Sequence, residues 1–231
     1  MSRYKAQILA YHGWGFDHSF WDLLKIELGG NYKLKAANRG YFGDESDPEW
    51  DASHSELPKI VIAHSYGLHW CPEERIKRAD SLLLVNSFTH FHPRKAVEFK
   101  ASKRLTKALM TSLTKEPEIG LNEFRQLAYL PSKAPKFEHD LKHADLDLLQ
   151  NDLADLDRDN HLISHLQKTK SIRIIHGRSD QIVSINLARR MQKEFFPSSR
   201  ILEVEEGGHM LPQTHSTVVA NQIESMAESL S

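Results

Sequence analysis

The stretch Ile60-Val61-Ile62-Ala63-His64-Ser65-Tyr66-Gly67 decides the fold. Ile60 to Ala63 form a short β-branched run, the signature of a strand buried on both faces of a parallel sheet. The run ends at once in a small-x-Ser-x-small pattern, with Ala63 and Gly67 around Ser65. That pattern fits a tight strand-to-helix turn that pushes a serine hydroxyl clear of the backbone. The usual form has glycine where Ala63 stands, and a methyl group is a mild departure. Alone the pattern is weak, because a turn serine of no consequence reads the same way. Its meaning depends on what the other strand ends carry.

Five further strand-like runs flank this one. Ala6–Tyr11 leads directly into His12-Gly13-Trp14-Gly15. Tyr32 to Ala37 closes on Asn38-Arg39-Gly40, and Ser81 to Val85 ends at Asn86-Ser87. Ile172 to Ile175 precedes His176-Gly177-Arg178-Ser179-Asp180, and Arg200 to Val204 precedes Glu205-Glu206-Gly207-Gly208-His209. Helical periodicity separates most of them. Asp17 or Ser19 caps a helix with Phe20, Trp21, Leu24 and Leu28 on one face, and Ser184 caps another through Phe195. A last helix spans about 215–230. Pro72 keeps the helix after Ser65 short, and residues 40–58 carry no convincing helix. From about His92 to Ser171 the pattern is helical only. Leu105, Ala108, Leu109 and Leu113 fit one helix face there, and Leu146, Leu149, Leu153 and Leu156 another.

Strands alternating with helices give a mostly parallel sheet of about six strands, with helices on both faces. The expected division is a core of 1–91 and 171–231 with a helical cap, 92–170, inserted after the fourth strand. In such sheets reactive groups gather beyond the carboxyl ends of the strands. Ser65, Asp180 and His209 all fall at such ends. A serine hydroxyl needs a base within hydrogen-bond reach, and the base needs an orienting acid. Ser65 is therefore the candidate nucleophile, His209 the general base and then acid, and Asp180 the carboxylate that fixes the imidazole tautomer. The tetrahedral oxyanion needs two N–H donors. Tyr66, next to the nucleophile, offers one, and Trp14 in the glycine loop offers the other, with its indole walling the acyl pocket.

Together the four motifs resemble the α/β-hydrolase superfamily. His12-Gly13-Trp14-Gly15-Phe16 is similar to its oxyanion loop and Ala63-His64-Ser65-Tyr66-Gly67 to its nucleophile elbow. His176 to Asp180 resembles its acid strand, and Gly207-Gly208-His209 its histidine loop. Within the superfamily the first motif, followed by Trp21, is similar to the biotin-synthesis carboxylesterases, as is Arg39-Gly40-Tyr41-Phe42-Gly43. That resemblance implies a serine carboxylesterase acting on the methyl ester of a pimeloyl group on acyl carrier protein. It also implies a cap with a basic surface for the acidic carrier. Arg94, Lys95, Lys100, Lys103, Arg104 and Lys107 fit that surface, opposed in their stretch only by Glu98. A solvated helix face is the bland reading of the same run. From Glu138 to Asp159 the balance reverses, with eight carboxylates against Lys142 and Arg158. Relative to the family, the chain enters at what corresponds to the third of eight strands, so a reduced sheet is expected.

Composition narrows the alternatives. A net charge of -1 gives no global attraction to nucleic acid or membrane. The start lacks the apolar stretch and cleavage site of a signal peptide, and a single cysteine, Cys71, excludes an internal disulfide, so a cytoplasmic protein is expected. The 14 histidines include no H-E-x-x-H spacing, and no G-x-G-x-x-G follows the first strand, so neither metal nor dinucleotide cofactor is expected. Two other readings stand beside the esterase. One is a related hydrolase for a small diffusible ester, thioester or lactone. The other is a non-catalytic binding protein on the same scaffold.

Overall fold

The computed structural model describes residues 4–136, 141–158, 166 and 171–230. Six strands form one sheet: β1 (Ala6–Tyr11), β2 (Tyr32–Ala36), β3 (Lys59–His64), β4 (Ser81–Val85), β5 (Ile172–Gly177) and β6 (Arg200–Val204). Their order is β2-β1-β3-β4-β5-β6, and all five pairings are parallel. The chain steps outward from β1 to β2, then returns to the other side of β1 as β3. The reversal leaves a crevice at the carboxyl ends of β1 and β3, where no crossover helix lies over the strands. Tyr11 pairs with Ala63, so the loop from His12 starts beside the turn that carries Ser65.

Alternate residues of each strand feed two different cores, as strand geometry requires. Ile8, Ala10, Ile60, Ile62, Leu83 and Val85 point to one face. There they meet Trp21, Leu24 and Leu28 at the start and along α1 (Asp22–Leu28), and Val219, Ile223 and Met226 of α9 (Ser216–Leu230). Leu9, Tyr11, Val61, Ala63, Leu82 and Leu84 point to the other. That face is covered by α2 (Gly67–Trp70), α3 (Glu73–Lys77) and α7 (Ile185–Phe195). β1, β3 and β4 are buried throughout apart from Lys59, which is why these strands read as unbroken apolar runs.

The expected local signals act where they stand. Asp17 caps the turn before α1 by accepting from the Ser19 N–H, and Ser184 caps α7 by accepting from Asn186. Between β2 and β3 the described backbone holds only a single 3-10 turn, Ala52–His54, so that region lacks a long helix, as expected. Among the described residues three α-helices lie between β4 and β5: α4 (Ala96–Lys115), α5 (Pro117–Tyr129) and α6 (Leu146–Arg158). Their inner faces and the strand-end loops share a third apolar cluster. Leu113, Leu121, Leu149, Leu153 and Leu156 pack there with Trp14, Tyr41, Tyr66 and Phe88. The α6 face is the one expected. On α4 the expected face is turned inward, but it borders a cavity rather than a solid core: Leu105, Ala108 and Leu109 line it, only Leu113 of that face is fully buried, and Leu105 stays 63 % exposed. A short α8 (Leu211–Thr214) precedes α9.

Candidate functional site

Ser65 follows β3 with φ 52°, a left-handed conformation that costs a non-glycine residue on the order of 1–3 kcal/mol. The surrounding framework enforces it. The Ser65 N–H donates to the Val85 carbonyl at 3.0 Å, and the Ser87 hydroxyl donates to the Ser65 carbonyl at 2.8 Å. Gly67 completes the turn by letting α2 press against the end of β1, since a Cβ there would collide with the Tyr11 and His12 carbonyl oxygens. Gly13 plays the matching part on the other side. A Cβ on it would stand 2.8 Å from His64 Nδ1 and 3.0 Å from Ser65 Cβ, so its bareness brings the loop backbone against the serine.

Ser65, His209 and Asp180, far apart in sequence, form one hydrogen-bonded chain. Ser65 Oγ lies 3.0 Å from His209 Nε2, and His209 Nδ1 lies 2.8 Å from Asp180 Oδ2. All three are buried. A carboxylate accepts only, so Nδ1 carries the proton and Nε2 is left to accept from the serine hydroxyl. Asp180 is held from both oxygens. Oδ1 accepts the N–H groups of Ile182 and Val183, each at 2.8 Å, and Oδ2 also accepts from Asn86 Nδ2 at 2.8 Å. Burial by itself would raise the carboxyl, but the facing imidazole of His209 and the hydrogen bonds of His176 and His209 outweigh it. The group is held well below the usual carboxylate range.

Two histidines beside this chain are neutral for stated reasons. His12, fully buried, donates from Nδ1 to the Gly13 carbonyl at 2.8 Å and accepts the Arg39 N–H on Nε2 at 3.1 Å. Burial lowers its pKa to about 4. His64 is also fully buried and donates from Nε2 to the His209 carbonyl at 2.9 Å. Its ring stacks on Phe20 at 4.6 Å and tilts against His209 at 4.8 Å. Burial and the neighbouring His209 hold it well below the ordinary histidine value.

Ser65 opens into a cavity of about 260 Å³ bounded by Trp14, Phe124, Leu153, Leu156 and the inner side of α4. Trp14 does wall this space, and its indole N–H also donates to the Leu149 carbonyl of α6 at 2.8 Å. Tyr66 stands at the N-terminal end of α2, next to the serine, as expected. The six cations of the cap separate into two sets. Arg94 pairs with Glu194, Lys95 with Glu98 and Lys103 with Asp157. Lys100, Arg104 and Lys107 are exposed and have no ion-pair partner among the described residues. Glu138, Asp140 and Asp159 of the acidic stretch lie outside the described residues.

Two contributors escaped the sequence reading. Asn86, at φ 49°, donates to both Asp180 and the Gly208 carbonyl, tying the acid loop to the histidine loop. Asp152, only 2 % exposed, receives Arg39 through two bonds of 2.9 Å and the Tyr41 hydroxyl at 2.6 Å. The Asn-Ser pair at a strand end was a signal for the first. Nothing local marks Asp152 off from its acidic neighbours on α6. Among the described residues no cluster of three or more histidine, cysteine or carboxylate side chains is arranged to hold a metal ion, and no described helix is long and apolar enough to cross a membrane.

The fold is the α/β-hydrolase fold. The chain superposes on an esterase from Exiguobacterium antarcticum with a TM-score of 0.76 at 17 % identity, covering 96 % of this chain and 92 % of that one. A hydrolase from Oleispira antarctica gives 0.72 at 13 % identity, covering 96 % and 91 %. A bromoperoxidase from Bacillus anthracis gives 0.70 at 15 %, covering 96 % and 92 %. No protein-family profile and no curated protein sequence matches the chain.

Proposed function

We propose that the protein is a serine ester hydrolase working through an acyl-enzyme. The carrying observation is the unbroken Ser65–His209–Asp180 hydrogen-bond chain, its serine lining an apolar cavity. In this reading Ser65 Oγ attacks the ester carbonyl carbon while its proton passes to His209 Nε2. The carbonyl oxygen becomes an oxyanion, received by the backbone N–H groups of Trp14 and Tyr66. Collapse breaks the bond to the leaving alcohol, which takes the proton from Nε2. Water then repeats the sequence on the acyl-serine and frees the acid. Asp180 stays ionised throughout and stabilises the imidazolium. Esterases among the structural neighbours agree with this chemistry. The test is hydrolysis of a p-nitrophenyl ester by the wild type and by Ser65→Ala. Turnover should vanish in the variant while the folded state survives, and wild-type turnover by the variant refutes the mechanism.

The finer reading is a carboxyl methyl ester presented on acyl carrier protein, in biotin synthesis, by a cytoplasmic enzyme. Its support is the exposed trio Lys100, Arg104 and Lys107 on α4, whose neighbour Leu105 lines the cavity. Such a patch would steer an acidic protein. Lys103 is a poor probe of docking, because its contact with Asp157 ties α4 to α6. Charge reversal at the exposed trio should slow carrier-linked turnover and spare p-nitrophenyl esters. Equal loss on both substrates, or on neither, removes the carrier.

A further inference from the structure

We propose that α6 positions the Trp14 side of the oxyanion hole, with Asp152 and the Leu149 carbonyl as its positioning groups. This rests on the ester-hydrolase reading above. The two residues whose N–H groups would receive the oxyanion, Trp14 and Tyr66, belong to different loops. Strand pairing and the bare Gly13 and Gly67 bring the two loops side by side, and the Trp14 side chain is held further by α6. Trp14 is 3 % exposed and donates its indole N–H to the Leu149 carbonyl. Tyr66 is buried too, and its ring packs in the same apolar cluster as Leu149 and Leu153 of that helix. Positions 149 and 152 are three apart on α6 and therefore neighbours on one helix face.

Asp152 is itself immobilised. Arg39 meets it with two parallel N–H bonds and Tyr41 with a hydroxyl, which together engage both carboxylate oxygens. Arg39 also reaches the first loop by a second route, since its backbone N–H is received by His12 Nε2 and His12 in turn bonds the Gly13 carbonyl. The helix thus grips the Trp14 loop by two routes. Oxyanion donors act only when held within about 0.5 Å of the productive geometry. Removing one outright costs on the order of 10²–10³ in kcat. A loosened donor costs less than a missing one.

Trp14→Phe cuts the indole bond to the Leu149 carbonyl while keeping the backbone N–H and most of the ring packing. It is expected to lower kcat for a p-nitrophenyl ester about 10- to 100-fold, with KM within about threefold of wild type. Affinity for a trifluoromethyl ketone, which forms a tetrahedral oxyanion on the serine, should fall by the same factor as kcat/KM. Affinity for the matching methyl ketone, bound as a ground state, should hold. A merely structural role would shift thermal stability and both affinities together. Asp152→Asn, which keeps the shape and weakens only the ionic bonds, should show the same split to a smaller degree. Variants with kcat and trifluoromethyl-ketone affinity within twofold of an active wild type overturn this proposal alone. A wild type that turns over no ester overturns it together with the hydrolase reading.

Discussion

Acidification should destabilise the fold well before any carboxylate of the site is protonated. The perturbation is a fall in pH from 7.5 to 5, and the groups that respond are His12 and His64. Each is held neutral by a specific arrangement. Protonating His12 on Nε2 would set its new N–H against the Arg39 N–H it now accepts. Protonating His64 on Nδ1 would place a donor against Gly13 with no acceptor in reach. Both groups have folded pKa values below their unfolded ones, so the unfolded chain binds more protons as pH falls. Their stabilisation is complete above about pH 6.5 and is lost as pH falls toward the folded value. With His12 at about 4 in the fold, its share of the loss by pH 5 is about 2 kcal/mol. His64, held well below the ordinary value, contributes at most about 2 kcal/mol more by that pH, because the limit is set by protonation of the unfolded chain. A total between about 2 and 4 kcal/mol is a large part of the 5–15 kcal/mol that holds a domain together. Asp180 adds nothing in this window, since its unfolded carboxyl titrates near pH 4 and its contribution fades only below that. Urea unfolding at a series of pH values measures the slope, and His12→Gln should remove at least about half of it. A free energy of unfolding that stays within about 1 kcal/mol from pH 7.5 to 5 would refute the argument that burial keeps these rings neutral.

Three other outcomes follow from single contacts. Asn86→Ala removes the donor that joins Asp180 to the Gly208 carbonyl, and should cut kcat about 10- to 100-fold with little change in KM, read from steady-state ester hydrolysis. Gly67→Ala drives a methyl group into the Tyr11 carbonyl, which cannot yield, and should cost about 3 kcal/mol or prevent folding; a wild-type urea midpoint would count against so close an approach of α2 to β1. Leu156→Trp fills the apolar cavity from α6, so the ratio of kcat/KM for long against short p-nitrophenyl esters should fall at least tenfold.

Much of this was legible in the sequence because the deciding signals are local. β1, β3 and β4 are unbroken buried runs apart from Lys59, and turn residues follow within a few positions of each strand's end. Ser65, Asp180 and His209 each sit just past such an end, so topology alone brings them to one rim. The cap was less readable. Leu105 looks like a core residue by periodicity, yet its surroundings are decided by where α4 lies over the cavity. The role of Asp152 depends on Arg39 and Tyr41, more than a hundred residues earlier, and no spacing rule connects them. The basic run on α4 was visible as charge, but which cations are consumed by Glu194, Glu98 and Asp157 was not.

The claim beneath all of this is that an imidazole drawn from the last strand's loop activates one particular hydroxyl. Mass spectrometry after treatment with a serine-directed fluorophosphonate reads that directly. A single covalent adduct on the peptide carrying Ser65, abolished in His209→Ala, is the predicted result. No adduct on the folded protein, or one on another serine at equal rate, contradicts it.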